Sequence, residues 1–374
     1  MNTLTFVILC LEGALLSFNV AASAALVPSI ARDFALSQFL VGKIVWIYML
    51  PYGVAALLYG PLVRAFDAKK VELVCIVCFS LANLLVGISP NITAVFIGRF
   101  FMGVFGASVT PLALILIARH TQNQNRGKAV GAFFSATFIS SLAGLFLSGM
   151  LPWRLIFLIP AVFGCILLAG MYFWLPSFKE DATGFTFCYG AVLKDKKIVL
   201  IFTYIFTVSL FFHGIQQWLG VYFSKSFGFT QFAISMLVTL TSLSGIFGEA
   251  VGGLSADTVG RMKTLRFGLL LMVIAAFLLM LRAPVFAFAI ILMLWGLGWA
   301  VNHAGVSTML TDLPGELINE AASLNSSVRF ISGGLGAVLG GFLMQKSFFL
   351  GFGAFGVGLA CLLLLTHSTA LRLE

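Results

Sequence analysis

A few polar side chains interrupt long apolar runs in this sequence, and their spacing suggests what they can do. Wound as a helix at 100° per residue, the first run brings Glu12, Asn19 and Ser23 within about 40° of one another, so a carboxyl, an amide and a hydroxyl share one stripe. A charge in hydrocarbon is costly unless it is paired or meets water. Glu12 therefore either exchanges protons as water access alternates or pairs permanently with a basic residue such as Arg99. Arg329 is the second isolated guanidinium, suited to bidentate contact with a carboxylate or phosphate on a ligand, or to pairing with Glu249.

Two further stripes follow i, i+4, i+7, i+8 spacing: Ser209, His213, Gln216 and Gln217 in one run, and Trp295, Trp299, Asn302 and His303 in another. Either face can line a cavity. The paired tryptophans can stack on a flat or cationic ligand or simply pack between helices. The histidines can relay protons or make one helix-to-helix hydrogen bond each. No two metal ligands stand at i, i+4 among them, so no metal or cofactor is expected, and Cys75 and Cys78 lack a second ligand pair.

The elements that position these groups follow from composition. Hydrophobic residues make up 60% of the 374 residues and charged residues only 9%, far below the roughly 25% charged of soluble domains. Runs of eighteen or more apolar residues are long enough to cross about 30 Å of hydrocarbon as helices. They predict twelve spans, at about 4–28, 40–62, 71–89, 92–118, 128–150, 155–175, 198–222, 231–254, 264–281, 284–309, 319–344 and 348–367. The first run carries Glu12 and Asn19 and has no basic leader, so it is expected to be a retained helix rather than a signal peptide.

The net charge of +9 is spread over short loops. Fourteen Lys and Arg, among them Arg64, Lys69, Lys70, Lys179, Arg261 and Arg372, fall on one side of this topology, against Arg32, Lys43, Arg154, Lys225, Arg282 and Lys346 on the other. The positive-inside rule then puts both termini in the cytoplasm, and a nucleic-acid role is not expected. No Gly-Lys-Ser/Thr phosphate loop, nucleophile elbow or His-Glu-x-x-His pair is present, so ATP-driven and hydrolytic chemistry have no residues to support them and the chain is not expected to be an enzyme.

The two halves of the sequence resemble each other. Arg32 to Phe39 reads Arg-Asp-Phe-Ala-Leu-Ser-Gln-Phe and Lys225 to Phe232 reads Lys-Ser-Phe-Gly-Phe-Thr-Gln-Phe, an offset of 193. Ser135 to Ser140 with Gly144 matches Ser327 to Ser332 with Gly336, an offset of 192. The longest polar stretch, Pro176 to Lys197, lies where a linker would. The expected organisation is an N-terminal bundle of six helices (1–180), a cytoplasmic linker (181–197) and a C-terminal bundle of six (198–374).

The same register sets Gly60 to Lys70 opposite Gly253-Leu-Ser-Ala-Asp257-Thr-Val-Gly260-Arg261-Met-Lys263. The second copy resembles the loop motif Gly-x-x-x-Asp-x-x-Gly-Arg-x-Lys/Arg of the major facilitator superfamily. The first departs from it, with Arg64 where Asp is expected and Asp67 where Gly is expected. Arg99-x-x-x-Gly103-x-x-Gly106-Ala107 and Trp153-Arg154 resemble two further landmarks of that family. The resemblance covers the whole chain. It implies an all-α membrane protein with twelve transmembrane helices in two pseudo-symmetric six-helix bundles.

The function it implies is secondary active transport of a small organic molecule by alternating access, nearest the drug and metabolite branch driven by proton antiport in a bacterial inner membrane. Helix 5 lacks that branch's Gly-Pro and carries Ser140-Ser141-Leu-Ala-Gly144 instead, which leaves a metabolite importer or facilitator, or a siderophore carrier, as the alternative. Expected partners are the substrate, a coupling proton and the lipid bilayer, with the chain acting as a monomer. The substrate and proton pathway is expected at Glu12, Asn19, Arg99, His213, Gln217, Trp295, Trp299, Asn302 and Arg329. Arg99 takes the place of the family arginine set against helix 1 and associated with proton transfer. Gly103, Gly106, Gly253, Asp257, Gly260 and Arg261 are expected to let helices approach and to close a gate.

Overall fold

The computed structural model describes residues 2–121, 123–177, 189–311 and 318–367. Glu180 and Lys179, most of the expected linker, and Arg372 with the C-terminus lie outside them, as do the side chains of Arg64, Arg119 and Arg126. Among the described residues all regular structure is helical, and the chain separates into two compact units, Met1–Phe187 and Cys188–Glu374.

The first unit holds α1 (Thr3–Val20), α2 (Ala22–Asp33), α3 (Gln38–Val41), α4 (Lys43–Ala65), α5 (Ala68–Gly87), α6 (Ile92–Gly106), α7 (Val109–His120), α8 (Asn123–Ser148) and α9 (Trp153–Trp174). The second holds α10 (Gly190–Lys194), α11 (Lys196–Gln216), α12 (Leu219–Phe227), α13 (Gln231–Thr258), α14 (Arg261–Leu278), α15 (Val285–Thr311), α16 (Ile318–Lys346) and α17 (Phe348–Leu365). Among the described residues eleven stretches are long and apolar enough to cross a membrane. The twelfth expected span is α14, which has the 18 residues required but opens on Arg261, Lys263 and Arg266.

Three expected spans are each divided in two. α6 gives way to α7 at Ala107 and Ser108, four residues before Pro111, whose missing N–H leaves the Ala107 carbonyl without its helical donor. α1 gives way to α2 at Ala21, where the Ser23 hydroxyl donates back to the Asn19 carbonyl at 2.6 Å, a bond that bends helices. α11 passes to α12 through Gln217 and Trp218, with Trp218 N–H tightened onto the Ile215 carbonyl.

Each unit repeats one packing scheme. In the first, α1 lies against α8, α4 against α6 and α5 against α9; in the second, α11 lies against α16, α13 against α15 and α14 against α17. Small residues make the closest approaches. A Cβ on Gly144 would overlap the Phe18 carbonyl of α1, and one on Gly336 would overlap the Leu210 carbonyl of α11. Both members of the second pair lie 192 positions after those of the first, so the repeat seen in sequence is a repeat of contacts.

At one end of the first unit Arg154 ties three helices together. It meets Asp33 at 3.0 Å and donates to the carbonyls of Gly87 (3.3 Å) and Ser89 (2.8 Å), while Trp153 Nε1 donates to the same Asp33 oxygen at 3.2 Å. The ion pair is more than a third exposed, so its own contribution is small, about 0–1 kcal/mol. The carbonyls it serves at the end of α5 would otherwise lose their donor. Arg154→Leu is expected to cost about 1–2 kcal/mol in all, read as a lower thermal unfolding midpoint in detergent. Arg154→Lys, which keeps the charge but not the fork, should fall between. Equal midpoints for all three proteins would overturn this.

Candidate functional site

In the first unit the polar stripe of α1 meets α5. Glu12 and Asn19 are each 0% exposed. Asn19 Nδ2 donates to Asn83 Oδ1, and Asn83 in turn donates to the Phe79 carbonyl at 2.9 Å. The Glu12 carboxyl lies within hydrogen-bonding reach of the Glu72 carboxyl, which is also 0% exposed and lies 3.4 Å from the Ser108 hydroxyl, whose one proton it shares with the nearer Phe105 carbonyl at 2.9 Å. Glu12 is thus not the only acidic residue deep in this half. Sequence reasoning missed Glu72 because it is the second residue of the expected 71–89 span, two positions after the basic pair Lys69-Lys70, and reads as a helix end. Asp67 caps α5 through Lys70 N–H at 3.1 Å and turns the chain so that Glu72 enters the bundle.

Arg99 does not pair with Glu12. Its guanidinium is 1% exposed, donates from Nε to the Ile44 carbonyl at 3.1 Å, and lies 4.3 Å from the centre of the Tyr48 ring and 6.0 Å from that of Phe157. A cation on aromatic faces keeps its charge without an anion. Tyr48 is a partner the sequence did not announce, since aromatic residues are common throughout the chain. Gly103 brings α6 onto this spot: a Cβ there would overlap the Tyr48 carbonyl, and one on Gly106 would come within 2.7 Å of Leu16.

In the second unit the stripes of α11 and α15 face each other. Phe212 stacks between Trp295 (5.0 Å) and Trp299 (4.1 Å), and Trp295 donates from Nε1 to Gln216 at 3.0 Å. His213 meets the edge of Trp299 at 5.6 Å and its Nδ1 lies 2.9 Å from the Ser209 carbonyl. Arg329 holds Asn325 through Nε at 2.8 Å, and its guanidinium carbon stands 5.9 Å from the centre of the Trp299 ring. Glu249 Oε1 of α13 lies 2.6 Å from His303 Nδ1, and the carboxylate is near enough to Arg329 to attract it. Trp299, His213, His303 and Arg329 are thus gathered in one cluster.

Asn302 is not in that cluster. It is 1% exposed and donates to the Tyr204 hydroxyl and, at 3.0 Å, to the Leu265 carbonyl, joining α11, α14 and α15. Gln217 falls at the break between α11 and α12, where its N–H serves the His213 carbonyl. Asp257 is exposed in the last turn of α13; Gly260, at φ 105°, makes the turn into α14, where Arg261 is the first residue. That φ explains the glycine. Among the described residues no atom stands within 4 Å of a Cβ built on Gly253, so it mediates no close approach there.

With helices, repeat and motifs placed, comparison with known proteins decides the family. The family model of the Major Facilitator Superfamily matches residues 9–337. The chain belongs to this superfamily. Relatives that it matches are described as an MFS-type transporter, a puromycin resistance protein and an efflux pump. Multidrug resistance protein 1 of Bacillus subtilis is 23% identical over 333 residues, 85% of this chain and 84% of that one. Puromycin resistance protein pur8 of Streptomyces alboniger is 35% identical over 132 residues, 34% of this chain and 26% of that one. The matches to three of the curated relatives span only 37%, 26% and 33% of their lengths. Among solved structures, a D-xylose-proton symporter superposes with a TM-score of 0.78 at 14% identity, covering 99% of this chain and 98% of that one. That likeness is one of fold.

Proposed function

We propose that this transporter exports a small organic molecule in exchange for protons, as a monomer in a bacterial inner membrane with both termini in the cytoplasm. The two bundles, 1–180 and 198–374, alternate access around the linker 181–197. The observation that carries the reading is Glu12: a carboxyl fully buried in the first, broken span, which among the described residues accepts no hydrogen bond and faces no cation. Arg99, the basic residue that could have fixed it as a structural pair, is engaged elsewhere. A buried carboxyl without a cation is most stable carrying a proton, and one that water reaches in turn from each side can deliver it.

The second unit supplies the substrate side in this reading, through Trp299, His213, His303 and Arg329, with Gln217 and Trp295 beside them. Asn19, Arg99 and Asn302 hold the helices that carry these groups, and Gly103, Gly106, Gly253, Asp257, Gly260 and Arg261 serve the gate. Relatives described as resistance proteins favour drug-like compounds as cargo. The Ser140 to Gly144 stretch of helix 5 favours the second reading, a metabolite importer or siderophore carrier.

The test uses the purified chain in liposomes with an imposed pH gradient, and a panel of puromycin, organic cations, sugars and siderophores. Addition of a drug-like compound is expected to dissipate the gradient, with compound and proton moving in opposite directions. Movement of both in the same direction would favour the importer. No coupling for any compound would overturn the proton reading.

A further inference from the structure

The two units meet one packing problem at equivalent places and solve it with different chemistry. Glu12, Glu72 and Ser108 precede Tyr204, Leu265 and Asn302 by 192, 193 and 194 positions, and all six residues are buried. In the second unit the junction is neutral and satisfied, because Asn302 donates to the Tyr204 hydroxyl and to the Leu265 carbonyl. In the first, the Ser108 hydroxyl lies beside Glu72 as Asn302 lies beside Leu265, and Glu12 faces Glu72 where Tyr204 stands beside Asn302. The fold therefore does not require an acid here, and the first unit has two.

Three of the four carboxyl oxygens, Glu12 Oε1 and Oε2 and Glu72 Oε2, find no donor among the described residues. The titratable groups around them are Cys75 of α5 and Tyr59 of α4, whose hydroxyl is committed to the Val104 carbonyl at 2.7 Å; Cys75 Sγ lies 3.5 Å from that hydroxyl. Among the described residues none of these groups is a cation. Two carboxylates in contact in a dry site repel strongly. One proton placed on either removes the repulsion and supplies the missing O–H donor to the other, the arrangement by which like carboxyls share a site.

We propose that Glu12 and Glu72 form one proton-binding site in which the two carboxyls share the transported proton. This rests on the proton-coupled reading above and adds Glu72 as the second half of the carrier. Binding takes one proton from water onto the pair and changes its charge from two negative to one; release, on rehydration, returns both to carboxylates.

The test is infrared spectroscopy of the full chain in lipid across pH, following protonated-carboxyl bands in the wild type, Glu12→Gln, Glu72→Gln and Glu72→Asp. The expected result is that each Gln variant moves the midpoint of the remaining carboxyl by at least about one pH unit, the mark of interacting sites. Glu72→Asp, which keeps a carboxyl on the same backbone, should retain a coupled pair. A Glu12 midpoint unchanged by Glu72→Gln would overturn the proposal, as would bands displaced at constant pH by sodium in place of choline, which would make this a metal-cation site. The gradient assay separates the two readings: a wild type that couples alongside a Glu72→Gln variant that couples equally sinks the shared site alone. A coupled pair by infrared in a wild type that moves no proton with any compound sinks the transport reading alone.

Discussion

Gly144→Val is expected to leave little or no folded protein in the membrane. A Cβ at this position of α8 falls on the Phe18 carbonyl of α1, which is backbone and cannot rotate aside as a side chain would. Overpacking a close-packed contact costs about 1–3 kcal/mol when side chains can yield, and more is expected where a helix must move. The same contact is secured two residues along α1 from the chain's first acid, Glu12, since Ser140 donates to the Ala14 carbonyl at 2.7 Å and holds α1 and α8 in register. Gly131→Val on the same helix is the control: among the described residues nothing stands within 4 Å of its Cβ, and yield should match the wild type. Gly336→Val should repeat the loss in the second unit, because the Leu210 carbonyl occupies the equivalent place. Membrane yield and size-exclusion profile of the detergent-solubilised protein measure all three. A monodisperse Gly144→Val protein at wild-type yield would overturn the argument.

That glycine shows what the sequence makes legible and what it hides. The offset joining Gly144 to Gly336 is visible in the residues alone, but a motif comparison weighs Ser140 to Gly144 only as a departure from Gly-Pro, whereas its physical role is backbone contact with α1. Helices and their number follow from apolar runs because a bilayer requires every backbone group to be satisfied within the segment. The breaks at Ala21 and Ala107 do not, since a proline or a back-bonding serine inside a run bends one helix and interrupts another.

The candidate site was legible where helical spacing alone decides it, and hidden where the partner comes from a distant segment. The stripes of α11 and α15 meet, yet the same spacing grouped Asn302 with His303, while the structure turns Asn302 to Tyr204 and Leu265. Glu12 stood out as a charge in an apolar run. Its neighbour Glu72 did not, because five residues into α5 a charged residue reads as a helix end, and only tertiary packing buries it. Pairing Glu12 with Arg99 was the natural guess from charge. The structure gives Arg99 the Tyr48 face and the Ile44 carbonyl, which leaves the acid without a cation among the described residues.

Glu12→Gln should abolish proton-driven accumulation while sparing substrate binding and exchange between equal pools. The amide that this substitution introduces matches the carboxylic acid in size, and its N–H can donate to Glu72 as the shared proton would, so the packing of α1 on α5 is expected to survive. What it removes is the ability to lose that proton. A gradient of one pH unit supplies about 1.4 kcal/mol per proton, enough for roughly tenfold accumulation; with no titrating carboxyl at this position the ratio should fall to about one. Exchange needs the alternating motion and the substrate groups of the second unit but no net proton transfer, so it should proceed at a rate near that of the wild type. Loss of both activities together would point to a folding defect, which the size-exclusion profile would reveal. Accumulation at the wild-type ratio under the same gradient would make Glu12 structural and move the search for the coupling group to His213, the histidine that stands against Trp299 in the second unit.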